Sequence, residues 1–303
     1  LQQQQQQHEV ALYQAIDALY DFECVQLSTH SYYANNVQLA LNVLAPLASK
    51  IDIVEICGGS ARTSTMCFRK HFKVGSNFDL VTSVALNNPK DQQLVMQYFI
   101  DHKPLVAVMS PRCSPFGAHS NLNYKINPDG WERTYQESAP HGRFCGELAL
   151  HQERNNRYFL LEQPHGSWLY EEYPWNIVCY LPSTICVTIH QCMLGQVGPS
   201  NLPAKKPTDL IANHSKLLEP FRDVWCDRSH QHDTLDSGNA KSCEKWPWAM
   251  ARKVCEGIIM LKLHLETSID PEHFAFPTRS TNTSADDEAR ADESWRKCPG
   301  CRG

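Results

Sequence analysis

The sequence predicts an α/β fold built on a doubly wound, mostly parallel sheet of Rossmann-like type, followed by a small C-terminal module. Three observations predict it. Short, β-branched apolar runs alternate with segments of helical spacing, which is the signature of βαβ units. The first such run ends in a glycine pair, Gly58-Gly59, as turns between a buried strand and a helix do. The composition is that of a globular chain, with 42% hydrophobic and 20% charged residues among 303, which excludes collagenous, coiled-coil and wholly disordered classes.

Taken in order, Gln2 to Gln7 form a homopolymer without apolar periodicity and read as a disordered tract. Val10–Leu19 and Asn36–Leu47 carry apolar residues at three- and four-residue spacing, so one or two amphipathic helices are expected there. Ile51–Cys57 reads as a strand buried on both faces. Helical spacing returns after the glycine turn, over Asn88–Asp101 and over Gly142–Glu153. Strands are expected at Pro104–Met109, Tyr158–Leu161, Thr184–Ile189 and Leu210–Ala212, and a last helix over Trp246–Leu263. Beyond Ser268 the text is polar and acidic and reads as a disordered tail. The domain plan is therefore an N-terminal tail and helix (1–35), a core (36–213), a small C-terminal module (214–267) and a tail (268–303) that ends in Cys298-Pro-Gly-Cys301, half of a zinc-knuckle pattern.

Charge and cysteine usage bound the function. A net charge of -5 is the wrong sign for a protein held on nucleic acid by its overall field, so such contact must come from local basic patches. Thirteen cysteines, an odd number with no visible secretory signal, point to free thiols in a reducing, intracellular compartment, nuclear in a eukaryote. No stretch approaches the ~18 uncharged apolar residues of a membrane span, and no internal repeat is present.

Three segments at predicted strand ends carry candidate chemistry. Glu55-Ile-Cys-Gly-Gly-Ser-Ala-Arg62 joins a strand to a helix, and Asp79 follows at the end of the next strand, where an acid accepts hydrogen bonds from ribose hydroxyls; a strand-turn-helix with an unrelated aspartate fits these residues equally well. Ser110-Pro-Arg-Cys-Ser-Pro-Phe-Gly117 puts Cys113 between two prolines in a loop at the carboxyl end of the sheet, an unusual setting for a merely structural thiol. Glu162-Gln-Pro164 closes another strand and directs a carboxyl toward the same cleft, where a thiol and a carboxyl together can add to an electron-poor ring and protonate it; a capping or salt-bridged glutamate is the plainer alternative.

In this order, these motifs resemble the DNA cytosine-5 methyltransferase family, and more closely the methyltransferase-like domain carried inside some retrotransposon polyproteins. The resemblance runs from about Ile51 to Leu263, with later landmarks at His190-Gln-Cys-Met-Leu-Gly195, Ala204-Lys-Lys-Pro-Thr208, Asn213, and Cys226 with His230-Gln-His232. It implies a doubly wound fold that binds S-adenosylmethionine through Glu55, Cys57, Gly58, Gly59, Ser60, Arg62, Asp79, Ser110 and Pro111. Cys113 is then the nucleophile toward C6 of a cytosine, Glu162 the acid at N3, and Gln191 a third active-site residue. A DNA or RNA base would have to be flipped out or single-stranded to reach them.

The departures from the family are also specific. Ala61 stands where the cofactor loop has its second glycine. Val84-Ala85-Leu86, expected as the end of a third strand, lacks an aspartate for the adenine, leaving Asn87 or Asn88 to substitute. Arg112 replaces a proline, Gln163 replaces asparagine, and the family's Q-x-R-x-R strand becomes Gln191-Cys-Met without arginines. These departures support an alternative, a catalytically degenerate module of a transposon polyprotein that binds nucleic acid or protein. Cys226, His230 and His232, with Cys243 as fourth ligand, form a candidate zinc set; one cysteine and two histidines in a polar loop is the other reading. Lys205, Lys206 and Lys216 are candidate phosphate contacts, and Trp246 and Trp248 are expected to pack the last helix against the sheet.

Overall fold

A computed structural model of the chain describes residues 51–117, 120–235 and 239–267. The glutamine tract, the helices expected before residue 50, the tail beyond Ser268 and the Cys298–Cys301 pair lie outside the described residues.

The elements run in the order β1 (Ile53–Ile56), α1 (Arg62–Arg69), β2 (Val74–Phe78), α2 (Pro89–His102), β3 (Val106–Met109), α3 (Ser120–Ile126), α4 (Pro128–Arg154), β4 (Tyr158–Pro164), α5 (Trp175–Val178), β5 (Ile185–His190), β6 (Pro207–Ala212), α6 (Ser215–Leu218) and α7 (Trp248–Thr267). Six strands form one sheet in the order β2-β1-β3-β4-β6-β5. The pairs β2-β1, β1-β3 and β3-β4 are parallel, and β6 runs antiparallel to both β4 and β5. The sheet is thus mostly parallel, as the alternation of runs predicts.

Continuous apolar strands demand cover on both sides. On one face Val54, Ile56, Ala107, Met109, Phe159 and Leu161 pack under α2, α4 and α5 through Phe99, Leu148 and Trp175. On the other, Ile53, Val106, Val108, Leu160, Leu210 and Ala212 pack under α1, α6 and α7 through Phe68, Leu217, Val254 and Ile258. Helix α7 approaches α6 through Gly257, where an added Cβ would lie 2.5 Å from the backbone oxygen of Leu217. Backbone cannot yield as a side-chain tip does, so Gly257→Ala is expected to lower stability by about 1–3 kcal/mol, measurable as a shift in the urea midpoint at unchanged slope.

Two expectations are corrected. Val84–Leu86 is no strand; it lies in the loop after a 3-10 turn at Leu80–Thr82, and Asn88 is spent capping α2 by accepting from Lys90 N. Helix α4 also starts well before Gly142, at Pro128, capped by the Asn127 side chain, and continues through Pro140.

What positions the site is the crossing of the chain at β1. From β1 the chain moves to β2 on one side and later returns to β3 on the other, which opens a crevice at the carboxyl ends of β1 and β3. Ser110 N donates to Ile56 O at 3.0 Å, so the glycine turn after β1 and the cysteine loop after β3 begin side by side.

Candidate functional site

The first half of the site is the turn after β1. Cys57, Gly59 and Ala61 have φ of 57°, 54° and 53°, a left-handed conformation natural to glycine and unfavourable by roughly 1–2 kcal/mol for other residues. At Gly58 any Cβ would come within 2.7 Å of the side chains of Asn77 and Glu55, which explains a glycine there. The turn is pinned from β2: Asp79 Oδ2 accepts from Gly59 N at 2.9 Å, and Asn77 Nδ2 donates to Gly59 O at 3.0 Å. Asp79 Oδ1 also accepts from Val81 N at 2.9 Å, so this carboxylate braces the turn with both oxygens. Glu55, buried below, accepts from Ser64 N at 2.7 Å and anchors the N-terminus of α1. Burial raises its carboxyl above the ordinary value, against the lowering effect of hydrogen bonds from Ser64 and Thr63.

A small pocket of about 100 Å³ opens over this turn, lined by Glu55, Cys57, Gly58, Gly59, Ser60 and Arg62, by Val108 and Ser110 from the β3 side, and by Glu244 to Trp246. Its volume is below the roughly 300–1,000 Å³ typical of closed cofactor and small-ligand pockets, so its lining, not its size, marks it as a candidate. Most of the residues expected to hold a cofactor therefore share one cavity. Asp79 reaches it through the turn it braces. Pro111 is buried and gives its carbonyl to Gln163 Nε2 at 2.8 Å. The Cys57 thiol is held well above its usual pKa, first by its hydrogen bond with Cys145 and then by burial. Arg62 reaches across the cavity wall, donating to Trp246 O at 2.6 Å and standing 4.8 Å from the Trp248 ring. Trp246 thus lines this pocket, which its expected packing role did not include.

The second half gathers around Glu162, buried at the end of β4. Ser110 Oγ donates to Glu162 Oε2 at 2.9 Å, while Lys206 Nζ and Gln191 Nε2 approach Oε1 at 3.2 and 3.4 Å. Gln191 Nε2 also donates to Thr208 Oγ1 at 2.9 Å. Because both neighbours engage its nitrogen, the carboxamide is oriented, and its Oε1 is left buried without a partner. A buried acceptor in that state asks for an explanation, and a ligand donor is one.

Cys113 belongs to this group electrostatically. Its thiol is raised by burial, lowered by the Lys206 charge and raised again by Glu162. For Lys206, burial works against the charge, but Glu162 and Cys113 outweigh it and hold the ammonium above its ordinary value. The loop geometry comes from Phe116 N and Gly117 N, which both donate to Cys113 O, at 2.9 and 3.0 Å. Trp168, with an exposed indole, donates its backbone N–H to Phe116 O at 2.8 Å and flanks the loop.

Cys113, Glu162 and Gln191 therefore meet in one region, whereas Lys206 was expected on phosphates and is instead a half-buried partner of Glu162. Lys216 is paired with Glu219 at 2.7 Å. Pairing with Glu162 separates Lys206 from its neighbour Lys205, and a Lys-Lys doublet does not reveal which side chain turns inward. Trp168 carried no sequence signal, and Thr208 only that of the last residue in the Ala204–Thr208 landmark.

The expected metal set is corrected in one member. Cys243 is buried elsewhere, with Sγ 3.7 Å from Val197 O. Cys192 takes its place: Cys192, Cys226, His230 and His232 have potential ligand atoms within 4.8 Å of one another. Among the described residues, no helix is long and apolar enough to cross a membrane. No protein-family model matches the chain, and no curated protein is significantly similar to it.

Proposed function

We propose that this protein transfers a methyl group from S-adenosylmethionine to C5 of cytosine through a covalent cysteine adduct. The observation that carries the reading is the group Cys113, Glu162, Lys206 and Gln191 beside the pocket over the β1 turn at the sheet's switch point. A Rossmann-like methyltransferase architecture accounts for that placement, since open α/β sheets bind ligands where the strand order reverses.

The cavity's residues fit the cofactor. Ser60 suits a ribose hydroxyl and Trp246 offers an apolar wall, while Asp79 shapes the turn beneath them by accepting from Gly59 N and Val81 N. When bound, S-adenosylmethionine supplies an electrophilic methyl on a sulfonium. Cys113, as thiolate, adds to C6 of the base, and Glu162, which takes up a proton for this step, passes it to N3, so the electron pair of the C5–C6 bond becomes available at C5. Lys206 favours the thiolate and holds Glu162 in place, a cationic role on the side where the family's arginines are missing. The orphaned Gln191 Oε1 suits a donor on the base edge. After C5 has been alkylated, its proton passes to solvent, N3 returns its proton to Glu162, and the C6–S bond breaks as the C5–C6 double bond re-forms, restoring Cys113 as thiolate. The exposed indole of Trp168 at the loop's edge is available to stack on a displaced base.

Two measurements test the reading. Calorimetric titration of the full chain with S-adenosylmethionine is expected to give micromolar affinity, about -8 kcal/mol. An oligonucleotide bearing 5-fluorocytosine is expected to form a stable adduct on Cys113 in the presence of the cofactor, because fluorine at C5 cannot depart as the proton does. Absence of both binding and adduct removes the methyltransferase reading. Cofactor binding without an adduct favours a degenerate module that has kept its ligand and lost its chemistry, a reading that the strained Ala61 and the doubly engaged Asp79 support.

A further inference from the structure

We infer that Cys192, Cys226, His230 and His232 bind one structural zinc ion, independently of the methyl-transfer site. Three of these ligands come from a single stretch, residues 222–235, in which no helix or strand is present. The fourth, Cys192, comes from the 3-10 turn Gln191–Leu194 that directly follows β5. A segment with so little regular structure needs something to hold it, and a metal bridging it to the sheet end would do so.

The distances suit tetrahedral zinc. With Zn–S near 2.3 Å and Zn–N near 2.0–2.1 Å, a tetrahedral sulfur-nitrogen edge is about 3.6 Å. Cys226 Sγ lies 3.7 Å from His230 Nε2 and 3.3 Å from His232 Nε2. The two imidazoles stand with ring centroids 4.6 Å apart and planes inclined at 70°, so both offer the same nitrogen to a common point without stacking. Two thiolates and two imidazoles are a donor set that zinc prefers over hard cations, and four protein ligands leave no open position for catalysis.

The surroundings support thiolate ligands. Arg228, at φ 65°, turns its N–H onto Cys226 Sγ at 3.3 Å. Such an amide-to-sulfur bond disperses the charge of a metal-bound thiolate and fixes its direction. His190 is tied into the same corner, its Nδ1 accepting from Cys226 N at 3.0 Å. A zinc ion here would therefore fix the end of β5, and with it Gln191, against the loop.

The test is metal analysis of the full chain after exhaustive dialysis, with cobalt substitution as a second readout. One zinc per chain is expected, falling to none in Cys226→Ser and in Cys192→Ser and unchanged in Cys243→Ser. The cobalt form of the wild-type chain is expected to show visible d–d bands of tetrahedral intensity and a thiolate-to-cobalt charge-transfer band, whose intensity identifies two sulfur ligands even if the serine variants fold poorly. Sub-stoichiometric zinc, a cobalt spectrum without thiolate bands, zinc retained in Cys192→Ser, or a Cys192–Cys226 disulfide found by mass spectrometry would each overturn the assignment.

Discussion

Cys113→Ser is expected to abolish methyl transfer and leave S-adenosylmethionine binding intact. The cavity over the β1 turn does not use Cys113 among its lining residues, so the cofactor has no direct stake in the side chain. Adduct formation does, because a serine hydroxyl offers no comparable anion near neutral pH and the nearby Lys206 cannot compensate for so high a pKa. The loop itself should survive, since its two internal hydrogen bonds end on the Cys113 backbone carbonyl. Calorimetry and transfer of labelled methyl to a cytosine-containing duplex, run on the same preparation, separate the two effects. Equal loss of both would show that the thiol supports the fold rather than the reaction.

Lys206→Met is the second substitution with a large expected effect, on stability as well as rate. Glu162 has 6% of its side chain exposed and Lys206 18%, so removing the ammonium leaves a carboxylate inside the protein with only neutral donors. Breaking a buried pair from one side costs about 3–5 kcal/mol, whereas Lys206→Met combined with Glu162→Gln removes both charges and should recover much of that loss. The pH profile moves with a definite sign. Burial raises the Cys113 thiol and Lys206 lowers it; without Lys206 the thiolate forms only at higher pH, and the rising alkaline limb of kcat/KM shifts upward. An unchanged limb would detach Lys206 from Cys113, and additive losses of stability in the double variant would detach it from Glu162.

Legibility in the sequence followed burial. β1, β3 and β4 are wholly or mostly enclosed, so each is an unbroken apolar run that stands out against its flanks. The first half of α4 does not, because Gly130 and Pro140 interrupt its text and many of its side chains face outward. Cys113 and Glu162 are legible because loops at strand ends converge wherever a parallel sheet forms. Cys192 is not, since its partners Cys226, His230 and His232 lie far along the chain and only the fold brings them together. Cys243 was the nearest cysteine in sequence, and proximity along the chain is a poor guide to proximity in space.

Strand β6 has a consequence for how the molecule is made. It lies between β4 and β5, antiparallel to both, although it follows them in the chain. Until residues 207–212 have been synthesised, β4 presents a bare edge and β5 has no neighbour within the sheet. Each is a row of unpaired amides and carbonyls open to other chains, and the nascent protein is most exposed to self-association in the interval before β6 emerges. Closing the sheet also brings Thr208 to Gln191 and Lys206 to Glu162, so the last strand inserted both ends this vulnerable period and assembles the polar group around Glu162.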